Sequence, residues 1–102
     1  SILAQFENHY DFDGLILGKP KLNYHIEFTH HRGTKVWKAP TKDNLLVFYV
    51  QNSKEWKKDC DKMKESGFRE VESYNPYWDI KGKTFEDIDG YRVVLQNQNW
   101  EL

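Results

Sequence analysis

The chain has 102 residues, of which 38% are hydrophobic and 16% aromatic, and its formal net charge is −1 at pH 7. This length predicts one domain with a small core in which aromatic side chains supply much of the buried surface. The balanced charge argues against nucleic acid as a partner. No apolar run approaches the roughly 20 residues of a membrane span and no signal peptide is recognisable, so we expect a cytoplasmic protein without a membrane partner. The single Cys60 cannot form an internal disulfide, which agrees with a reducing compartment.

The first half of the chain predicts three short strands and no helix. The β-prone runs are Ile2–Phe6, Gly14–Leu17 and Asn23–Thr29. Polar residues 7–13 should form the loop between the first two strands, and Gly18 and Pro20 mark a turn before the third. Residues 30–42 are polar and predict a long loop.

The second half predicts a strand, a helix and three more strands. Asn44–Val50 is almost wholly apolar, with β-branched and aromatic members, which indicates a central strand covered on both faces. The later strand predictions are Arg69–Tyr74, Lys83–Glu86 and Tyr91–Asn97. The connection Asn75–Trp78 is unusually aromatic for a loop.

The helix between these strands is predicted by its start, its apolar stripe and its end. Asn52 can cap the N-terminus, with Glu55 three residues later, as in a capping box. An apolar stripe at positions i, i+4 and i+7 is formed by Trp56, Cys60 and Met63. Gly67 can adopt the left-handed conformation that ends a helix. Because Cys60 lies on the apolar stripe, we interpret it as a packing residue and not as a catalytic thiol.

The dipeptide Asp89-Gly90 lies between two β-prone runs and predicts a tight hairpin turn. Glycine supplies the positive φ of such a turn without steric cost. The segment Phe85–Gly90 is similar to the F-x-D-P-D-G turn that closes each module of the vicinal oxygen chelate superfamily, with Ile88 where proline is usual.

Two further segments resemble the same superfamily, which includes glyoxalase I, bleomycin-resistance proteins and extradiol dioxygenases. Tyr24–His30 resembles the strand that ends a first module, and Asp43–Val50 lies where the next module begins. Together with Asn75–Trp78, the pattern is most similar to that of the uncharacterised bacterial YycE-like glyoxalase-like proteins. The order and spacing of these segments cover nearly the whole chain.

The resemblance implies an α+β fold of paired βαβββ modules, in which a curved mixed sheet surrounds a central cavity. Residues 1–31 would be the remainder of module one, 32–43 a linker loop, and 44–102 module two, all within a single glyoxalase-like domain, 1–102. The first strand and helix of module one would then be missing. The chain begins at Ser1, which fits either a longer natural protein or simple removal of an initiator methionine. Unpaired strand edges in an incomplete module predict a homodimer.

The resemblance also implies where a metal would bind, and most of those positions do not suit one. The first ligand position would precede this chain, and the second falls on Glu27. The third and fourth fall on Leu45 and Val94, which cannot donate an electron pair to a cation. We therefore expect no cofactor, with a divalent metal as the less favoured alternative.

Catalytic residues are predicted from the alternation of His25, Glu27 and Thr29, which share one face of a strand. In a cavity, Glu27 could act as a general base or hydrogen-bond acceptor and His25 could assist it. The alternative is that this face meets solvent. A partial facial triad for iron is also conceivable, but the adjacent His30 and His31 should point to opposite faces, so that at most one could join it.

Ligand-binding residues are predicted from aromatic and polar side chains that could line the cavity, together with Thr29. They are Tyr49, Tyr77, Trp78, Phe85 and Gln96. Gln96 shares a strand face with Val94 and should project into the same space. For any single aromatic residue in this set, a role in filling the core is the favoured explanation.

These observations favour a glyoxalase-family protein that binds a small organic molecule in the cavity between the modules, without the usual metal. If it is an enzyme, the resemblance implies a lyase or isomerase. One alternative is a metal-dependent lyase or dioxygenase that uses Glu27 with His25. Another is a resistance-type protein that sequesters an antibiotic by stacking it on Tyr77 and Trp78.

Overall fold

A computed structural model describes residues 1–100 of the chain. The chain divides into two compact units, which we call the N-terminal unit, Ser1–Val36, and the C-terminal unit, Trp37–Leu102. The division falls within the segment 32–43, for which the linker role stays a prediction. Among the described residues, no helix is long and apolar enough to cross a membrane.

The N-terminal unit is a three-stranded antiparallel sheet in the order β1-β2-β3. Its strands are β1 Ile2–His9, β2 Phe12–Leu17 and β3 Ile26–His31. The expected loop 7–13 is shorter than predicted, since β1 and β2 are joined by a tight turn in which Tyr10 and Asp11 have positive φ. The third strand begins and ends later than predicted. Its ladder with β2 starts at the Leu17–Ile26 pair and runs as far as the Phe12–His31 pair.

No residue of the N-terminal unit is fully buried. The clearest packing contact joins Phe6 to Gly14, which face each other across β1 and β2. A Cβ atom on Gly14 would lie 2.1 Å from the Phe6 ring, so the ring occupies the space that a side chain would fill. This sheet is therefore ordered mainly by its hydrogen-bond ladder and turns.

The C-terminal unit contains a four-stranded mixed sheet in the order β4-β7-β6-β5. Its elements in chain order are β4 Leu45–Tyr49, α1 Ser53–Glu65, β5 Arg69–Val71, α2 Tyr77–Ile80, β6 Gly82–Glu86 and β7 Arg92–Gln96. β4 pairs with β7 in parallel, and the other pairs are antiparallel. The α+β class is confirmed, and so is the βαβββ order, with the short α2 inserted between β5 and β6.

Three predictions for this unit are wrong, and the first is the strand Arg69–Tyr74, which ends at Val71. β4 is an edge strand, not a central one, because within the described part of the chain it pairs with β7 alone, and Leu46 remains half exposed. The aromatic loop 75–78 contains the start of the short helix α2. Just before that helix, the Asn75 side chain accepts a hydrogen bond from the backbone N–H of Tyr77 at 3.1 Å.

The core of the C-terminal unit lies between α1 and one face of the sheet, as the apolar stripe predicts. Cys60, Phe85 and Leu95 form its buried centre. They are surrounded by the partly buried Trp56, Met63, Phe68 and Val93. The Trp56 indole donates a hydrogen bond to the backbone oxygen of Leu95 at 2.7 Å. Burial raises the pKa of the Cys60 thiol, which fits a packing role.

Both ends of α1 form as the sequence predicts. The Asn52 side chain accepts a hydrogen bond from the backbone N–H of Glu55 at 3.0 Å, and Gly67 has a φ of +96°. In the hairpin between β6 and β7, Gly90 has a φ of +85°. Ile88 and Asp89 have negative φ, so the turn is a longer one closed by a left-handed glycine and not a two-residue primed turn.

Candidate functional site

The sheet of the C-terminal unit has one face against α1 and one face opposite to it. Lys83 lies on the first face, where its ammonium group is 5.8 Å from the centre of the Trp56 ring. The strand registers place three cross-strand rows on the other face, which we call the distal face. These rows are Leu45/Arg92/Glu86, Val47/Val94/Thr84 and Tyr49/Gln96/Gly82.

The two metal-ligand positions that the family resemblance implies for this unit both fall on the distal face. Leu45 begins β4, and Val94 lies in the middle of β7 with no solvent exposure. Hydrocarbon side chains cannot coordinate a cation, so these residues do not fit the usual metal. Within residues 1–100, no group of three or more His, Cys, Asp or Glu side chains is arranged to hold a metal ion.

Gln96 is the buried polar residue at the end of the distal face. It is 1% exposed, and its Oε1 atom has no hydrogen-bond partner among the described residues, 1–100. Beside it lies a small pocket of about 100 Å³. The residues that line this pocket are Tyr77, Ile80, Lys81, Gln96 and Gln98. The structure thus brings together two of the predicted ligand-binding residues, Tyr77 and Gln96.

The backbone around Gln96 is held by hydrogen bonds on both sides. Its carbonyl oxygen accepts from the N–H of Val50 at 2.8 Å, and the N–H of the next residue, Asn97, donates to the Lys81 oxygen at 2.7 Å. The Asn97 side chain donates to the backbone oxygens of Val50 and Gln51 and accepts from the Ser53 hydroxyl. Asn97 therefore fixes the edge of the pocket, a role that its place at a strand end did not reveal.

Gly82 makes room for the Gln96 amide. A Cβ atom on Gly82 would lie 2.0 Å from Gln96 Oε1 and 2.9 Å from the backbone oxygens of Leu95 and Trp78. Any other residue at this position would displace the amide or the neighbouring backbone. Sequence reasoning missed this role, although an isolated glycine at a strand start is a known sign of close backbone approach.

The α2 segment, which carries Tyr77, is tied to the sheet by polar contacts. The Asp79 carboxylate accepts a hydrogen bond from the backbone N–H of Ser73 at 3.0 Å. The buried Ser73 hydroxyl is hydrogen-bonded to the buried Thr84 hydroxyl. Tyr77 and the half-buried Trp78 contact each other edge to face, with ring centres 5.0 Å apart. These contacts hold one wall of the pocket in place.

Two other predicted ligand residues of this unit lie elsewhere. Tyr49 is next to Gln96 on the distal face, but it lines a separate open depression with residues 50–52 and Glu55. Phe85 is fully buried on the α1 side, in contact with the core. It has no surface to offer a ligand, so the structure replaces its predicted cavity role with a packing role.

An ion-pair cluster occupies the other end of the distal face. Arg92 is buried and donates to Glu86 at 2.9 Å, and Arg69 donates to the same carboxylate at 2.7 Å. The hydrogen bond from Arg92, followed by the one from Arg69, lowers the pKa of Glu86 below its usual value of 4.5. The sequence did not reveal this cluster, because its members are brought together only by the β6–β7 register.

In the N-terminal unit, the structure brings the predicted catalytic pair together. His25 Nε2 donates to the Glu27 carboxylate at 2.8 Å. The two side chains are 47% and 46% exposed, so the pair is solvated and does not lie in an apolar pocket. Thr29 lies opposite Gly14 and lines an open groove of about 510 Å³ that neither His25 nor Glu27 reaches.

The other histidines of this unit diverge, as the alternation predicts. His31 pairs with Phe12, and their rings stack with centres 4.6 Å apart. His30 pairs with Asp13 on the other face. Asp13 accepts from Arg32 at 2.8 Å, and this contact lowers the pKa of the Asp13 carboxyl. Each of these groups therefore already has a protein partner.

Comparisons with known proteins match nearly the whole chain. The family model of the YycE-like N-terminal domain matches residues 1–29, and that of the YycE-like C-terminal domain matches residues 43–97. The uncharacterized protein YycE of Bacillus subtilis (strain 168) is 44% identical over 95 residues, which are 93% of this chain and 68% of that protein.

A solved structure agrees with the sequence comparison. It is a crystal structure of a Bacillus subtilis YycE protein of unknown function, described as a candidate glyoxalase/fosfomycin resistance protein. The TM-score is 0.87 at 42% identity, over 99% of this chain and 74% of that one.

Proposed function

Because this chain belongs to the YycE-like family of glyoxalase-like proteins, we propose that it binds a small organic molecule on the distal face of its C-terminal sheet. We propose further that it does so without a metal ion at the positions of Leu45 and Val94. A ligand held in this way would be recognised by apolar contact and by a few polar groups, as in most small-molecule sites.

The observation that carries this proposal is the buried Gln96 amide beside the pocket lined by Tyr77. A buried amide oxygen without a hydrogen-bond partner destabilises the folded chain unless a ligand or water satisfies it. Apolar side chains at the partly exposed Leu45 and Val47 share its face. Apolar surface with one convergent polar group is the composition of a site for an organic ligand.

The hydrogen bond between His25 and Glu27 supports a second function, which is general acid–base catalysis. A carboxylate that accepts from an imidazole can orient the ring and assist it in a proton transfer. A metal-dependent lyase or dioxygenase built on the same two residues could keep this hydrogen bond, because His25 Nδ1 and the second Glu27 oxygen do not take part in it. It would need further ligands, which residues 1–100 do not arrange around the pair.

Sequestration of an antibiotic is a third function, supported by the description of the structural relative as a candidate glyoxalase/fosfomycin resistance protein. In this chain the exposed ring of Tyr77 and the half-buried ring of Trp78 would supply stacking surface. Binding without turnover would distinguish this function from catalysis.

We also propose that the protein is a cytoplasmic homodimer without a nucleic-acid partner. The N-terminal sheet has no buried residue, and its exposed apolar side chains include Ile2, Leu3 and Phe28. A three-stranded sheet gains stability when such a face is covered. Sedimentation of the purified chain should give the mass of two copies, and a monomer at all concentrations would contradict this part of the proposal.

Elemental analysis and ligand mapping together test the proposed function. The chain as purified should contain no stoichiometric Zn, Ni, Mn or Fe after dialysis. The same protein, treated with EDTA, should show fragment-induced shifts of the backbone amides of Leu45, Val47 and Val94 in 15N–1H spectra. A retained metal that is lost in Glu27→Ala would favour the metal-dependent alternative and contradict the proposal.

A further inference from the structure

We infer that the Gln96 amide anchors one small neutral hydrogen-bond donor of the bound molecule, a hydroxyl or a primary carboxamide, in the pocket beside Tyr77. This inference rests on the proposed function, since it names the chemistry of one part of the ligand. It is carried by the burial of Gln96, the size of the pocket and the charges around it.

The first step is the unmet hydrogen bond. Gln96 is 1% exposed, and its Oε1 atom is the buried side-chain polar atom that lacks a partner within residues 1–100. Leaving such an acceptor unpaired costs roughly 1–3 kcal/mol, so a residue chosen only for folding would be apolar here. The missing partner is a donor, and a ligand with an N–H or O–H group supplies it.

The second step is the space available. The pocket holds about 100 Å³, which is the share of liquid volume of roughly three water molecules. It therefore has room for a terminal group of a few heavy atoms. Gly82 lets the Gln96 amide keep its position beside this space, because a Cβ atom at residue 82 would lie 2.0 Å from Oε1.

The third step is charge. Among the residues that the structure describes, the lining of Tyr77, Ile80, Lys81, Gln96 and Gln98 contains one cationic side chain and no carboxylate. A ligand ammonium group would meet the like charge of Lys81 without a compensating anion. A ligand carboxylate would offer no donor to Oε1. Neutral donors satisfy both conditions, and a carboxamide can also accept from the Gln96 NH2 group.

The test uses the full chain labelled with 15N and acetamide as the probe. Acetamide should shift the side-chain NH2 resonances of Gln96 and the backbone amides of Lys81, Gly82 and Gln98 in a saturable manner. N,N-dimethylacetamide, which has no N–H, and acetate should bind at least about tenfold more weakly, the loss expected for one hydrogen bond.

Two variants and one control complete the experiment. Gln96→Met keeps the length of the side chain without its polar atoms and should weaken acetamide binding at least about tenfold. Gly82→Ala should have the same effect because the new methyl group displaces the amide. Gln51→Met, at an exposed position, should leave binding unchanged. Backbone spectra of each variant establish that it is folded. If Gln96→Met does not fold, Gly82→Ala replaces it as the variant that tests the inference.

The outcomes separate this inference from the proposed function. If fragments shift Leu45, Val47 and Val94 while acetamide leaves Gln96 unchanged, the inference is overturned and the proposed function stands. Equal shifts by acetamide and N,N-dimethylacetamide, or unaltered binding in Gln96→Met, would also overturn it, as would a bound water that no probe displaces. If no fragment shifts any residue of the distal face, both fail.

Discussion

The N-terminal unit has no buried residue, whereas the C-terminal unit buries Cys60, Phe85 and Leu95 beneath a capped helix. Both contain sheets with well-defined registers, so a register does not require a core. In the first unit, turns and strand pairing set the order, and in the second, apolar packing adds to them. Substitutions should therefore have very different consequences in the two units.

The largest difference is expected for a matched pair of phenylalanines. Phe85→Ala removes a fully buried ring from the C-terminal core and should lower the free energy of unfolding by about 3–5 kcal/mol. Phe28 is 56% exposed in the single chain, so Phe28→Ala should change it by less than about 1 kcal/mol at dilutions where the protein is monomeric. Urea unfolding of both variants measures the difference. Equal losses would mean that Phe28 is buried in solution, for example against a second copy.

A second contrast concerns Glu86 and Asp13, two carboxylates that accept hydrogen bonds from arginine side chains. Glu86→Gln leaves the buried Arg92 without its anion and should cost about 1–3 kcal/mol. Asp13→Asn loosens the partly exposed pair with Arg32, so its effect on the free energy of unfolding should be smaller. The same urea titrations at neutral pH measure both. A larger effect at Asp13 would contradict the contrast.

The pH dependence of stability follows from the same carboxylates. The pKa values of Glu86 and Asp13 are lower in the folded chain than their usual values of 4.5 and 3.8. Folding is therefore favoured above those usual values, and this contribution is lost as the pH falls below them toward the folded pKa values. Urea unfolding should show a declining free energy from about pH 6 to about pH 3. The decline should be shallower in Glu86→Gln, and an unchanged slope would mean that the ion pair does not form.

At Gln96, a substitution should raise the free energy of unfolding, whereas the substitutions above lower it. Gln96→Met removes an unpaired buried acceptor and should raise the free energy of unfolding of the ligand-free chain, by about 1 kcal/mol. Thermal unfolding without ligand measures this, with Gln51→Met as the exposed control. A clear loss of stability would show that the amide already has a partner in the folded chain.

The smallest effect is expected at the start of α1. Asn52→Ala removes the side-chain acceptor for the Glu55 N–H and should cost about 1 kcal/mol. Asn52→Ser keeps an acceptor at this position and should cost only about a few tenths of a kcal/mol. Loss of helical circular dichroism on heating measures both. Equal effects of the two substitutions would argue against capping.

Local signals in the sequence predict the local parts of this fold. The helix α1 follows from Asn52, from the stripe that includes Cys60, and from Gly67, each of which acts within a few residues along the chain. The left-handed glycine of the β6–β7 hairpin, Gly90, is likewise a local requirement. By contrast, the edge position of β4 depends on its pairing with β7, which lies more than forty residues away, and no local pattern encodes it.

In the candidate site, too, local sequence patterns do not predict the features that depend on strand pairing. Alternation indicates that Val94 and Gln96 share a face, and the structure agrees. It does not indicate how β6 is aligned with β7, and the observed pairing of Phe85 with Val93 places Phe85 on the α1 side. The roles of Gly82 and Asn97 also depend on contacts between strands. Side-chain type alone could not predict them.

The most direct test of the account is an acetamide titration of the EDTA-treated chain, followed at the side-chain NH2 resonances of Gln96. The account predicts a saturable shift that is absent in Gln96→Met and is unaffected by added Zn²⁺ or Mn²⁺. A Gln96 signal that does not respond, or one that responds only when a metal ion is present, would contradict a metal-free ligand site on the distal face.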